Sequence, residues 1–278
     1  MVTAWVPLPR LEGVVELLDR PGNSDEEVRG NLLDLERLNC YFGGVRTVRL
    51  HLSRMIAERS QTRPMVLDIA TGGADIPRSI CRWARQRKLA VTVEAVDRND
   101  RVLAAATEWS AAYPEIRLRK VEAPPLPYPD GSFDYVLCSL FFHHLTEAQG
   151  VHLLSEMRRV ARHGLIVIDL MRSRRAHLLT GIATRLLSGN RLTRHDGPMS
   201  VIRGFKPEEL LRMATEAGLC DVRLSLHPWF RIALVTEITP RASKENHEVP
   251  AVLYCSAGLA NPSSHDLPRL RAASQGRD

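Results

Sequence analysis

The 278-residue sequence lacks two features that would indicate a membrane or secreted protein. It contains no run of about 18 apolar residues, which excludes a membrane-spanning helix. Its first ten residues include two prolines and no basic region ahead of an apolar stretch, so we expect no signal peptide. The remaining composition, 44% hydrophobic and 25% charged, is typical of a globular protein with a large core.

Cysteine and lysine are both scarce. The five cysteines are an odd number with no CxxC pair, which argues against a zinc site or a disulfide framework and favours free thiols in a reducing cytoplasm. We therefore predict no metal site. Only four of the 38 basic residues are lysine, and the arginines are spread along the whole chain. The net charge of +6 then indicates a compositional bias, and we expect no nucleic-acid partner.

Residues 1–60 carry helix signals and no strand signal, and we interpret them as an N-terminal helical cap. Apolar residues recur at helical spacing between residues 11 and 18. Ser24 followed by Glu27 is a capping-box pattern that predicts the start of a second helix. A third helix is predicted over residues 45–60, after a pair of glycines.

From Met65 onward, strand-like and helix-like segments alternate, as expected for the βαβ units of a parallel sheet. The last two strands are so close in sequence that they must pair antiparallel, because a parallel crossover needs about a dozen residues or more. The chain therefore predicts a doubly wound α/β sheet of seven strands, mostly parallel with an antiparallel last strand. The predicted strands are 65–70, 91–97, 116–122, 133–140, 163–170, 222–229 and 231–237.

The alternation is interrupted after the fifth strand, where we expect a lid insertion at about residues 172–205 of a domain spanning 61–238. An apolar helix is predicted over 176–188, followed by a polar loop. Its apolar stripe is typical of a lid or a core face, although the flanking arginines could favour an acidic surface. The polar, proline-containing residues 239–278 predict a weakly ordered tail.

The strongest chemical signal follows the first predicted strand. Asp68 lies near its end, and small residues follow at alternate positions, namely Ala70, Gly72 and Ala74. Small side chains let a ligand approach the backbone amides, and ligands of parallel sheets bind beyond the carboxyl ends of the strands. Asp97 ends the next strand, where a carboxylate can accept hydrogen bonds from both ribose hydroxyls. Since G-x-G-x-x-G is absent, the pattern indicates a nucleoside-containing ligand other than a dinucleotide.

This segment resembles motif I of the class I S-adenosylmethionine (SAM)-dependent methyltransferases, with alanine replacing glycine at positions 70 and 74. The sequences L-P-Y-P-D-G-S-F-D at 126–134 and F-H-H-L at 142–145 are similar to that family's fourth-strand region. The resemblance covers about residues 60–170. It is nearest to ubiquinone/menaquinone-type and small-molecule methyltransferases, and more loosely to polyketide-associated ones. It implies a Rossmann-like fold with SAM as the cofactor.

The resemblance also implies which residues surround SAM. The first turn would bind the methionine end, the second strand's end the ribose and the third strand's end the adenine. The implied cofactor-binding residues are Asp68, Ala70, Thr71, Gly72, Asp97, Arg98, Glu122, Ala123 and Ser139.

Histidines are the candidate catalytic residues, because histidine titrates near neutral pH and a phenol reacts faster as its phenolate. His143 and His144 lie just beyond the fourth strand, although they could instead only shape the pocket. His195, beside Asp196 in the predicted loop, is the third candidate. The candidate substrate-binding residues are Phe142, Asp196 and Arg203, the last for an anionic group.

We therefore expect a SAM-dependent methyltransferase of secondary metabolism that acts on a small organic acceptor. O-methylation of a phenolic or polyketide-like compound is preferred, and C-methylation of a quinone or aromatic ring is the alternative. A non-catalytic SAM-fold module and a nucleic-acid methyltransferase remain open. Against the nucleic-acid alternative, this chain lacks the N/D-P-P-Y/F sequence that relatives methylating exocyclic amines carry after the fourth strand. Residues Ser139 to Phe142 occupy that position instead. Whether the chain forms a homodimer is also left open.

Overall fold

The computed structural model describes residues 8–238 and 252–255. Within them, an eight-stranded sheet has the order β3-β2-β1-β4-β5-β7-β6-β8. Strand β7 is antiparallel to both of its neighbours, and the other paired strands are parallel. The strands are β1 Met65–Ile69, β2 Thr92–Asp97, β3 Ile116–Lys120, β4 Phe133–Ser139, β5 Ala161–Leu170, β6 Arg223–His227, β7 Arg231–Glu237 and β8 Val252–Cys255.

The predicted Rossmann-like, doubly wound α/β class is confirmed by strands β1–β7. Strand β8, which pairs with β6, was not predicted and falls inside the segment 239–278 interpreted as a weakly ordered tail. The rest of that predicted tail lies outside the described residues.

Eight α-helices pack on this sheet and over its edge within the described ranges. Helix α1 begins with the predicted capping box, in which Ser24 Oγ accepts from the Glu27 amide and Glu27 Oε2 accepts from the Ser24 amide. The helices are α1 Asp25–Tyr41, α2 Gly44–Glu58, α3 Asp75–Gln86, α4 Asp100–Trp109, α5 Glu147–Val160, α6 Arg174–Leu187, α7 Arg191–Arg203 and α8 Pro207–Glu216.

The segment before α1 corrects the first predicted helix. Residues 10–23 are irregular except for one 3₁₀ turn, Leu17–Asp19. The break at Pro21–Gly22 leaves too few residues to offset the cost of starting a helix. The segment instead extends to α7, where Arg10 Nε donates to the carbonyl of Arg203 at 2.8 Å.

The polar loop predicted after α6 is also wrong, because residues 191–203 form helix α7. Asn190 caps this helix by accepting from the Leu192 amide at 2.8 Å. Pro198 inside the helix and the many polar side chains concealed it in the sequence. Its packing against α1 and α6 supplies the stabilisation that local propensity does not.

Two apolar layers enclose the sheet, one on each face. Alternate residues of β4 point to opposite layers, with Val136 in the layer of α5 and α8 and Tyr135 in the layer of α2 and α3. Because β1, β2 and β4 are parallel, their carboxyl ends meet at one edge of the sheet, beneath α1, α6 and α7. Among the described residues, no helix has the length and apolar character needed to cross a membrane.

Candidate active site

A cavity of about 1130 Å³ lies at this edge of the sheet. Its floor is the set of loops that follow β1 to β4, and its roof comes from the segment around Glu16 and from α1, α6 and α7. The residues of the predicted lid insertion that border the cavity lie mostly on α6 and α7. This volume is slightly above the usual range of small-molecule sites and is large enough for a nucleoside cofactor and a second ligand.

The turn after β1 is tight and acidic. Thr71 Oγ1 donates to Asp68 Oδ2 at 2.7 Å, and Asp68 is only 2% exposed. Burial raises the pKa of Asp68 to about 7, and the charges of Asp75 and Asp97 act in the same direction. A cationic ligand placed here would stabilise the carboxylate. The site therefore suits an ammonium or sulfonium group and not a pyrophosphate.

Backbone conformation explains the small residues of this turn. Ala70, Gly72 and Ala74 have φ of 55°, 54° and 58°, in the left-handed region. Placing an alanine in this backbone conformation costs about 1 kcal/mol of conformational free energy, which a glycine would avoid. At Gly73 the restriction is steric, because a Cβ would lie 2.9 Å from Trp109 Cζ3.

Asp97 at the end of β2 is fixed by backbone amides. Gly72 N donates to its Oδ2 at 3.1 Å and Asn99 N to its Oδ1 at 3.0 Å. Burial raises the pKa of Asp97, and these amide donors oppose the shift. Each carboxylate oxygen keeps acceptor capacity for a ribose hydroxyl.

All nine predicted cofactor-binding residues border the cavity. Glu122 lies exposed at its rim, after β3. Arg98 is directed to the roof, with Nη2 3.0 Å from Asp19 Oδ1. Ser139 Oγ is buried and has no hydrogen-bond partner among the described residues, as expected of a group that awaits a ligand.

His143, in the 3₁₀ turn Phe142–His144 after β4, forms a buried pair with Asp169 at the end of β5. Its backbone N donates to Asp169 Oδ2 at 2.8 Å, and its Nδ1 lies 2.7 Å from Oδ1. Because a carboxylate accepts, Nδ1 carries the proton and Nε2 remains available. Burial acts to lower the pKa of His143, but Asp169 and Glu16 outweigh it and raise the pKa above its usual value.

His144 contacts the roof of the cavity. Its Nε2 lies 3.6 Å from Glu16 Oε2 and its Nδ1 3.6 Å from Asp19 Oδ2. Burial acts to raise the pKa of Asp19, but His144 and Arg98 bring it down to about 2. The Nε2 of His143 also lies 3.6 Å from Glu16, so one carboxylate faces both histidines.

Glu16, His143 and His144 bring one potential metal-ligating atom each to within 4.8 Å of one another. Arg203 Nη1, however, lies 3.3 Å from Glu16 Oε1 and places a positive charge beside the site that a metal ion would occupy. The donor set therefore fits a hydrogen-bonded charge cluster better than a cation.

His195 and Asp196 are not among the residues that line this cavity, so the structure does not bring these two candidates together with the other predicted site residues. Asp196 accepts from the amides of Leu17 at 2.8 Å and Leu18 at 3.0 Å, and its Oδ1 lies 2.8 Å from His195 Nδ1. Because residues 191–203 form a helix, the aspartate faces the N-terminal segment and His195 is partly exposed. Asp196 thus holds the 3₁₀ turn beside Glu16.

The other two predicted substrate-binding residues differ in outcome. Phe142 is fully buried in the core, and it is Phe141 that borders the cavity. Arg203 does border the cavity, and its pairing with Glu16 connects α7 to the histidines.

Charged residues around the cavity that sequence reasoning missed include Glu16, Asp19, Asp169 and Arg231. Arg231 is 4% exposed, and burial lowers its pKa to about 10. Its Nε donates to the Phe42 carbonyl at 3.0 Å and its Nη2 to Asn39 Oδ1 at 3.1 Å, while Nη1 has no partner among the described residues. Asp169 could have been found as an acid ending a strand, but nothing local marks the other three.

Residues 66–164 match the family model described as a methyltransferase domain. Over 168 residues the chain is 31% identical to the demethylmenaquinone methyltransferase of Deinococcus radiodurans. The chain carries a class I SAM-dependent methyltransferase domain. That alignment covers 55% of this chain and 66% of the relative, so the two proteins share the methyltransferase domain but not their full length.

Solved structures share the fold of this methyltransferase domain. Human N-acetylserotonin methyltransferase, in complex with SAM, has a TM-score of 0.55 at 16% identity, covering 77% of this chain and 56% of its own. An O-methyltransferase family 2 protein from Planctomyces limnophilus, in complex with apigenin, has a TM-score of 0.54 at 15% identity, covering 79% and 63%. At these identities the likeness concerns the fold alone.

Proposed function

We propose that the protein transfers the methyl group of SAM to a hydroxyl oxygen of a small phenolic or polyketide-like acceptor, with His143 as the general base. The buried His143–Asp169 pair, which borders a cavity large enough for two ligands, carries this proposal. SAM supplies an electrophilic methyl group on a sulfonium sulfur, so the protein must provide orientation, a dry environment and an acceptor for the proton.

The half of the cavity around Asp68, Asp97 and Ser139, called here the cofactor half, fits SAM on three observations. The buried carboxylate of Asp68 suits the ammonium and sulfonium charges, and Asp97 can accept from the ribose hydroxyls. Ser139 Oγ offers an unused hydrogen-bonding group at the end of β4, between the two halves.

The hydrogen bonding of His143 suits this residue to act as the general base. Asp169 fixes the tautomer with the proton on Nδ1, so that Nε2 can take the hydroxyl proton as the oxygen attacks the methyl carbon. The charges of Asp169 and Glu16 stabilise the imidazolium that results, which makes the neutral imidazole a stronger base. Glu16 and the helices that line the roof cover this part of the cavity, which would keep water away from the reacting atoms.

Methyl transfer from labelled SAM to a panel of phenols tests the proposal. We expect transfer to at least one phenol, with kcat/KM rising with pH because the base must be neutral, through an apparent pKa above that of an ordinary histidine. The Asp169→Asn variant should shift that limb to lower pH, since its carboxylate stabilises the imidazolium. Asp100→Asn, an exposed residue paired with Lys120, should not shift it. SAM binding without transfer to any acceptor would contradict the proposal.

Methylation of a ring carbon of a quinone-type acceptor is the second candidate, favoured by the likeness to a demethylmenaquinone methyltransferase. Arg203, at the cavity wall, would hold an anionic group of either acceptor. Carbon-13 NMR of the labelled product separates the two reactions, because a methoxyl carbon and a ring-bound methyl carbon have well-separated shifts.

A further inference from the structure

Helix α6 presents an unusually apolar face to the outside. Leu178, Ile182 and Leu186 recur every four residues and form a row along the helix. Leu178 is 63% exposed and Leu186 is 78% exposed, and Leu187 beside them is 56% exposed. A contiguous patch of this kind on a folded protein marks a contact site for an apolar partner.

The charges around this row have one sign. The 25 residues from Met171 to His195 include six arginines and no aspartate or glutamate. Three of these arginines, Arg174, Arg175 and Arg185, are exposed on α6. At 3.6 residues per turn they fall within about 80° of the leucine row, so the face is both apolar and cationic.

The exposed face continues into the cavity. Leu179, Ile182 and Leu186 are exposed and also border the cavity, whereas Leu178 does not border it. The patch therefore lies at the mouth of the site, and Leu178 can be changed without altering the cavity wall.

We propose that α6 docks the protein on an anionic phospholipid surface, with its leucine row in the acyl boundary and its arginines among the headgroup phosphates. An amphipathic helix with leucine on one side and arginine beside it binds in this way. A second copy of the chain is a poorer partner. A symmetric contact through this face would oppose arginines to arginines, with no acidic residue in the segment to separate them. The proposal does not depend on which atom is methylated.

Vesicle flotation tests the docking surface. The full chain should float with vesicles of phosphatidylcholine mixed with phosphatidylglycerol, bind phosphatidylcholine alone weakly, and dissociate as salt screens the arginines. Leu178→Asp should weaken binding to the mixed vesicles by about ten-fold or more, because it removes a leucine that would insert among the acyl chains and adds repulsion from the headgroups. Leu50→Asp, at a leucine of α2 that is 56% exposed, is the matched control and should bind like the unmodified chain.

Thermal unfolding followed by circular dichroism should show both variants folded, and the lipid and salt dependence of the unmodified chain tests the proposal without any variant. Absence of flotation with the mixed vesicles would overturn it. So would equal binding by Leu178→Asp, or sedimentation showing a dimer that Leu178→Asp dissociates without any binding to vesicles.

Discussion

The two halves of the cavity are built in different ways. In the cofactor half, hydrogen bonds join residues close in sequence, as between Thr71 and Asp68 or between Gly72 and Asp97. In the acceptor half, which surrounds His143 and Glu16, the His143–Asp169 pair has a similar range, but other hydrogen bonds join distant residues, as between Leu17 and Asp196. The first half is thus a local device of the βαβ units, while the second exists only once the N-terminal segment and α7 have packed together. Variants should separate the two halves functionally.

The largest effect is expected from His143→Gln, which removes the base but leaves the cofactor half intact. Because general-base catalysis contributes about 10²–10⁴-fold, kcat should fall by that factor while the Kd for SAM stays roughly unchanged. Rapid-quench kinetics and calorimetry measure the two quantities. His144→Gln is the matched control and should cost much less, and the reverse ranking would assign the base to His144.

Asp97→Asn should have the opposite effect, changing the Kd for SAM but not kcat. Losing the charge-assisted hydrogen bonds to the ribose should weaken SAM binding by about 10- to 100-fold, measured by calorimetry. The kcat at saturating SAM should stay near that of the unmodified enzyme. A changed kcat with an unchanged Kd would show that the two halves are not separable.

A smaller effect is expected from Asp196→Asn, which weakens the acceptors of the Leu17 and Leu18 amides. Hydrogen bonds to a charged group contribute about 1.5–3 kcal/mol, so these amides should exchange with solvent faster by about ten-fold or more. Hydrogen exchange followed by NMR checks this. His195→Gln is the control, and a large loss of activity in it would support the catalytic role that the sequence predicts for His195.

The same contrast explains how far the sequence could be interpreted. The positions of strands β1–β7 along the chain, and the nine residues that border the cofactor half, were predicted from short contiguous patterns such as Asp68 to Ala74 and from the family resemblance that those patterns carry. Helix α7 was missed because Pro198 and its polar side chains conceal a helix that is stabilised by packing. Glu16 was missed because its partners lie more than 120 residues away, at His143 and Arg203. Only tertiary packing brings those charges together.

The hydrogen bonds from the Leu17 and Leu18 amides to Asp196, which fix the turn beside Glu16, have a consequence for turnover. The same short stretch of chain covers the cavity and supplies the carboxylate that faces His143. Lifting it to admit an acceptor or release a product would also withdraw that negative charge and leave the imidazole less basic. His143 would then be a strong proton acceptor only while the cavity is closed. A less basic imidazole in the open state would not activate water to attack the methyl donor during each exchange of ligands.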